Sequence, residues 1–282
     1  MKTPENKTGS RCKTLLSICI PTYNRESLVV ALVKSLISFS GNFEICIHVD
    51  GSTDNTFQAL YELKDPRLRV LSSENRGRAE ALKSAVRSAN GRFCMLFDDD
   101  DELDKSGFCR ILHDCSKPLP TKYAGRVYHL ADDCGERIGS LFPEEETNLT
   151  ALRADYGIDG DKKEVVRTGL LKQAVVMNST FRRVPTSLYW ARISLGYDIV
   201  CVNEIVGRKR YLQNGMSSSI SGLKKNNIGP MIALHQAIVL LFLKGRIRSS
   251  KFALRSLFAI FLYFFLRLLR GLKGRPAIHD RR

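Results

Sequence analysis

The sequence predicts an α/β fold with a mostly parallel sheet flanked by helices, followed by a helical tail that is both basic and apolar. Two observations carry this expectation. Over the first hundred residues short apolar runs alternate three times with segments of helical periodicity, the pattern of a doubly wound sheet. The charge is also lopsided: residues 207–282 hold 16 basic side chains and one acid, Asp280, so the first 206 residues are neutral and the last 76 carry the whole formal charge of +15. Such asymmetry points to an anionic partner for the tail rather than to a generally basic protein. With 44% hydrophobic residues in 282, a sizeable core is possible and wholesale disorder is excluded.

Taken in order, Leu15–Pro21 is a buried strand, and Arg25–Ser38 a helix whose Leu28, Val29, Leu32, Val33, Leu36 and Ile37 share one face. Phe43–Asp50 is a second strand, after which Gly51-Ser52-Thr53-Asp54 supplies turn and capping chemistry for a helix through Leu63. Arg67–Ser72 is a third strand, Arg78–Ser88 a helix, and Arg92–Phe97 a fourth strand that runs into Asp98-Asp99-Asp100-Asp101-Glu102. Beyond Leu103 the pattern loosens: Val127–Ala131 and Ile138–Leu141 read as a hairpin, Pro143–Asn148 as an acidic loop, Val184–Ser194 as a helix and Asp198–Val206 as a strand. The eight cysteines form no Cys-x-x-Cys pair, so neither a zinc site nor a redox motif is expected. Cys19, Cys46 and Cys94 fall inside strands and read as reduced core residues. Residues 1–13 lack the apolar segment of a secretory signal, and a reducing cytoplasm is the expected setting.

In a doubly wound sheet, ligands bind at the carboxyl ends of the strands. Here those ends carry Pro21–Arg25, Asp50–Asp54, Ser73–Gly77 and Asp98–Asp101. Five consecutive acids raise one another's pKa unless a counter-charge is near; Mg²⁺ or Mn²⁺, held by one or two carboxylates together with substrate phosphates, would supply it. The plainer alternative is a solvated acidic loop with Asp104 capping the next helix. Asp50 is able to accept from a base edge or a ribose hydroxyl, and Asn75, Arg76, Gly77 and Arg78 offer donors to a diphosphate; each motif taken alone also fits an ordinary capped turn.

Pro21-Thr22-Tyr23-Asn24-Arg25, the run VDGSTDNT at 49–56, NRGRAEAL at 75–82 and FDDDDE at 97–102 together resemble the nucleotide-binding half of the family 2 glycosyltransferases. That resemblance implies a GT-A fold with a Rossmann-like sheet, and transfer of a sugar from a nucleotide-diphosphate donor, expected to be a UDP-sugar, with inversion. It implies that Pro21, Thr22, Tyr23 and Arg25 border the base, that Asp50 holds uracil or ribose, and that Asn75, Gly77, Arg78, Asp98 and Asp99 also line the donor site. Asp98 and Asp100 become the Asp-x-Asp pair for a divalent cation, Mn²⁺ or Mg²⁺, with Asp101 beside it. Val49 stands where relatives often have the first of two acids. Segment 160–221 is similar to the acceptor half of a bacterial branch that builds surface polysaccharide, through GDKKEVVRT at 160–168, RRVPTSLYWARIS at 182–194 and VNEIVGRKRYLQNGMS at 202–217.

Inverting transfer needs a general base for the acceptor hydroxyl. Relatives often have an acid shortly before the Val184-Pro185 step or just after it; this chain has Ser179-Thr180-Phe181-Arg182-Arg183 and Thr186. Asp161 is the preferred candidate, because Gly160 permits close approach and Lys162 is able to steer an anion; Glu164, Asp198 and Glu204 are the others. An inactive sugar-nucleotide-binding scaffold at a membrane is the alternative that the missing acid raises. Trp190 reads either as an acceptor-stacking ring or as core.

The organisation expected is therefore a flexible N-terminus over 1–13, a nucleotide-sugar half over 14–102, an acceptor half over 103–222 and a membrane-associated helical tail over 223–282. Met231–Leu243 and Leu257–Leu266 are apolar runs of thirteen and ten residues, each shorter than the ~20 residues that span a bilayer. Lys244, Arg246, Arg248, Lys251, Arg255, Arg267, Arg270, Lys273 and Arg275 surround them, as expected of side chains snorkelling to anionic headgroups. The aromatic residues lie in an apolar block rather than among cations in a polar context, which argues against nucleic acid. The expected place is peripheral, on the cytoplasmic face of the inner (plasma) membrane, with a glycan or lipid-linked acceptor.

Overall fold

The computed structural model describes residues 14–176, 181–210 and 227–272. Strands β1 (Leu16–Thr22), β2 (Phe43–Asp50), β3 (Leu68–Ser73) and β4 (Phe93–Leu96) alternate with helices α1 (Glu26–Ile37), α2 (Thr56–Tyr61) and α3 (Arg78–Ser88). Every residue of β1 and β2 is buried, which is why both read as continuous apolar runs rather than alternating ones: a parallel strand is covered on both faces. β1 pairs in parallel with both β2 and β4, so the chain reverses its direction of travel across the sheet between β1 and β4. That switch point is where a crevice opens.

The second half completes the same sheet differently. After β5 (Glu102–Leu103) and α4 (Lys105–Ser116) come β6 (Tyr123–Ala131), β7 (Glu146–Thr147), α5 (Leu149–Ala154), β8 (Lys162–Arg167), α6 (Thr168–Ala174), α7 (Thr186–Ser194) and β9 (Asp198–Arg208). The order is β3-β2-β1-β4-β8-β6-β9-β5, with β7 on β9; β8 is antiparallel to both β4 and β6, and β9 parallel to β6. The two faces bury separate cores. Cys19, Cys46, Cys94, Val127 and Val166 pack on one face with α3 and α7; Ile18, Ile47, Met95, Tyr128 and Val165 pack on the other with α1 and α4. The described cysteines are all free thiols, and Cys19, Cys46 and Cys94 are fully buried.

Two expectations for the loose segment change. The hairpin after β6 shrinks to a single bridge, Ala131 to Arg137, because Asp132 turns the chain by accepting from the Cys134 and Glu136 amides. The acidic loop contains β7, and its last residue, Asn148, caps α5 through its side chain. Asp104 does cap α4, accepting from Gly107 N at 2.6 Å.

The tail is a helical hairpin, α8 (Ile228–Leu243) and α9 (Ser250–Leu272). α9 is longer than the apolar run inside it, and Ser250–Leu269 is long and apolar enough to cross a membrane by length and composition. The hairpin is tied to the acceptor half at its turn. Arg246 pairs with Asp198 at 2.6 Å, its carbonyl accepts from Asn148 Nδ2 at 2.5 Å, and the Arg248 and Ser249 amides donate to Asp155 at 2.9 Å each. Arg246, through that ion pair, and Arg248, whose guanidinium donates to Tyr156 Oη at 2.8 Å, thus contact the domain, where the sequence placed them at headgroups.

Candidate active site

The loop leaving β4 carries Asp98–Asp101 into the crevice at the switch point, and four cations from four separate elements meet it. Arg25, at the end of β1, binds Asp99 Oδ1 at 2.7 Å and Asp100 Oδ2 at 3.0 Å. Arg78, the first residue of α3, pairs with Asp98. Lys209, just past β9, bridges Asp98 Oδ2 and Asp101 Oδ1 at 3.0 Å each. Lys163, on β8, reaches Asp101 Oδ2 at 3.3 Å while lying over the Phe97 ring at 4.2 Å. Thr22 Oγ1 donates to Asp99 Oδ2 at 2.7 Å across the switch point.

These partners divide the carboxylates. Burial alone would raise the Asp98 pKa, but Arg78, Lys209 and Lys163 outweigh it and hold Asp98 well below the usual carboxylate range. For Asp99 burial prevails over Thr22 and Arg25, and for Asp101 over Lys163 and Lys209, so both are raised. Oxygens of Asp98, Asp100 and Asp101 approach within 4.8 Å of one another. Asp101 Oδ1 is buried and, despite the nearby ammonium of Lys209, receives no well-directed hydrogen bond. All-oxygen donors of this kind suit Mg²⁺ or Mn²⁺, so the residues present fit such an ion. The ion pairs already balance four acids with four bases. An added divalent cation is therefore best balanced when a diphosphate enters with it.

The other strand ends knit together instead of standing open. Asp50 is buried, and its oxygens accept from Arg76 N at 2.8 Å and Gly77 N at 2.9 Å. It thus shapes the β3–α3 turn, and the amides expected to face a diphosphate are engaged by it. Gly77 has φ +95°, and a Cβ there would lie 2.5 Å from the Arg182 carbonyl oxygen; Gly51 has φ +66°, and a Cβ there would lie 2.4 Å from Asn75 N. Both therefore have to be glycine. Asn75 is held by the Arg182 side chain. The Asn24 side-chain oxygen accepts from Thr53 N at 2.8 Å, and the Asn24 backbone N–H donates to Ser52 Oγ at 2.9 Å. Pro21 is buried within β1, while Tyr23 is exposed at the crevice rim.

The acceptor-side candidates separate clearly. Asp198 is committed to Arg246, and Glu204 to Arg110. Asp161 is exposed, and both reasons for preferring it fail: Gly160 approaches the Ile138 side chain, and Lys162 Nζ donates to the carbonyls of Ile158, Asp159 and Gly160. Glu164 is placed differently. β8 pairs Val166 with Cys94 and Val165 with Met95, and Glu164 faces Val127 on β6. By strand alternation Glu164 lies on the face of α3 and α7, the face from which Arg78 reaches Asp98. Among the described residues its carboxylate makes no ion pair, and burial pushes its pKa up to about 7. Trp190 packs against the core of that face. Ser179 and Thr180 lie outside the described residues.

Sequence reasoning missed Lys163 and Lys209. Lys163 sits in a strand of mostly charged residues, KKEVVR, and only the structure shows it to be buried (4% exposed); nothing local marked either lysine.

Residues 17–152 match the glycosyl transferase family 2 model. Among curated relatives, the chondroitin synthase of Escherichia coli is 36% identical over 108 residues, 37% of this chain and 16% of that protein. The E. coli enzyme WfgD, named UDP-Glc:alpha-D-GlcNAc-diphosphoundecaprenol beta-1,3-glucosyltransferase, is 36% identical over 89 residues, 31% of this chain and 35% of that protein. The matched segments thus span about a third or less of those relatives. The solved structure of S. aureus TarS 1-349 with UDP-GlcNAc covers 92% of this chain and 76% of its own, with a TM-score of 0.62 at 18% identity. The mannosyltransferase PcManGT of Pyrobaculum calidifontis with GDP-Man and Mn²⁺ covers 94% and 77%, with a TM-score of 0.52 at 15% identity. The fold is that of the GT-A glycosyltransferases, and residues 17–152, just under half of the chain, are similar to glycosyl transferase family 2.

Proposed function

We propose that the protein is an inverting, divalent-metal-assisted glycosyltransferase that moves a sugar from a UDP-sugar to a glycan or lipid-linked acceptor in surface-polysaccharide synthesis. The observation that carries this reading is the charge-balanced cluster of Asp98–Asp101 with Arg25, Arg78, Lys163 and Lys209 at the switch point. The UDP-GlcNAc bound by TarS and the UDP-Glc named for WfgD support the donor class. Asp98, Asp100 and Asp101 would hold Mn²⁺ or Mg²⁺, which when bound neutralises charge developing on the departing diphosphate.

The chain's own residues do the rest. Arg25 and Arg78 orient the acid loop, and Tyr23 offers its exposed ring to the base. The acceptor hydroxyl oxygen attacks the anomeric carbon from the side opposite the diphosphate. A carbon–oxygen bond forms there, the bond to the phosphate oxygen breaks with its electron pair leaving on the nucleoside diphosphate, and the configuration inverts. The hydroxyl proton passes to Glu164, whose pKa of about 7 suits a base at neutral pH. Thr186, where relatives often have an acid, heads α7 and leaves Glu164 to that task.

Thermal stabilisation by a panel of nucleotide-sugars with Mn²⁺, followed by assay of nucleoside diphosphate release with a supplied acceptor, tests the proposal. No stabilisation by any donor, or donor turnover indifferent to loss of both Asp98 and Asp100, would sink it. The inactive-scaffold alternative, motivated by Thr186, predicts donor binding without transfer to any acceptor.

A further inference from the structure

We propose that α9 is an in-plane membrane-docking helix that lays one apolar face into an anionic bilayer while its opposite face stays on the protein. The two faces are separated cleanly. Ala253, Ser256 and Tyr263 are buried at the spacing of a helical stripe, and Tyr263 packs on Ile228 and Ile232 of α8 and stacks on the His235 ring at 5.9 Å. On the other side Leu254, Phe258, Phe261, Phe265 and Leu268 recur at i, i+4, i+7, i+11 and i+14; Leu254, Phe261 and Leu268 are 65%, 67% and 65% exposed. A continuous apolar stripe of this length is not left in water without a partner.

Charge selects lipid as that partner. Residues 227–272 contain seven basic side chains and no acid, and 273–282, outside the described residues, add Lys273, Arg275, Arg281 and Arg282 against Asp280 alone. A second copy docking α9 on α9 would bring two such segments together and repel. Anionic headgroups attract them, by about 1 kcal/mol per basic residue at the surface. Lys251 and Arg255 flank the apolar stripe and Arg267 lies behind it, each exposed and able to reach headgroups along its aliphatic stem.

Length alone would also permit α9 to span, since 23 residues extend about 35 Å. The anchors oppose that. The α8–α9 turn is fastened to Asp198, Asn148 and Asp155, so a perpendicular α9 would draw α8 and the domain's own surface with it. Docking in the plane also sets the acceptor side near the membrane: Gly229 of α8 abuts the Phe181 ring, next in sequence to Arg182, which holds Asn75 at the crevice.

Flotation of the full chain with vesicles of neutral phosphatidylcholine, and of phosphatidylcholine with 30 mole per cent (about a third) phosphatidylglycerol, tests this. Wild type should float with the anionic vesicles at least about tenfold better and lose that preference in high salt. The Phe258→Ser/Phe261→Ser/Phe265→Ser variant should lose flotation with its melting temperature and donor binding unchanged; Lys251→Gln/Arg255→Gln/Arg267→Gln should lose only the anionic preference. Equal binding to both vesicles, a stable dimer dispersed by the Phe substitutions, or retention after alkaline carbonate extraction as for a spanning helix would each overturn the proposal. Vesicle binding and sugar transfer are read separately, so failure of one leaves the other standing.

Discussion

The two halves of the sheet meet at one site by different means: the parallel half supplies all four acids together with Arg25 and Arg78, the other half only lysines. The parallel half delivers four carboxylates from four consecutive residues, Asp98–Asp101, at the end of a single strand. The second half delivers Lys163 from near the start of β8 and Lys209 from just past β9, positions separated by 46 residues and aligned only because both strands belong to the same sheet. The acids form a local motif whose role follows from where the strand ends. The lysines acquire theirs from register, and each is spent on a buried or half-buried acid that would otherwise be costly.

The comparison breaks most severely if the acids are removed. Asp98→Ala/Asp100→Ala is expected to lower transfer by about 10⁴-fold, since metal-assisted charge stabilisation is worth several kcal/mol; radiolabelled sugar incorporation measures it, and near-wild-type transfer would detach the loop from the chemistry. Next, Glu164→Gln should cost about 10³-fold in kcat with donor binding intact. The wild-type rate should rise as pH passes upward through about 7, where the Glu164 carboxyl ionises, and the variant should lose that rise. A variant that keeps both rate and pH profile would return the base to another residue.

Lys163→Met tests the other half. It leaves Asp101, 4% exposed, with Lys209 as its remaining cation, and should cost about 3 kcal/mol of stability in denaturant unfolding at pH 7. Because the Asp101 pKa is already raised by burial, the deficit should shrink as pH falls and the acid protonates. The charge balance of the cluster predicts a smaller effect: Mn²⁺ should bind at least about tenfold more tightly with UDP present than alone, by calorimetry. Smallest of all, Asp161→Asn should change transfer by less than about twofold, its carboxylate being exposed.

Much of the first hundred residues was legible because parallel strands buried on both faces leave an unbroken apolar signature, as LSICIPT and FEICIHVD do. Their boundaries shifted by only a residue or two. Beyond Leu103 the strands pair in both senses across long connections, and nothing in a run such as Lys162–Arg167 announces that it will lie between β4 and β6. The site divides in the same way. Asp98 and Asp100 stood out as a pair, whereas nothing in the sequence showed that Asp50 accepts from the Arg76 and Gly77 amides and so shapes that turn. Asp161 was preferred over Glu164 on its sequence neighbours; the structure engages Gly160 with Ile138 and Lys162 with nearby carbonyls, and strand alternation sets Glu164 on the α3 and α7 face.

By itself the sequence determined the order of the parallel elements, the acid loop at the end of β4 and the confinement of the net charge to the last 76 residues. These are local properties, set by periodicity and composition. Tertiary structure decided which cations answer the acids, that Glu164 makes no ion pair among the described residues, and which stripe of α9 is covered by α8. Those outcomes depend on contacts between residues tens to hundreds of positions apart, and strand register with helix packing, rather than sequence spacing, places them together.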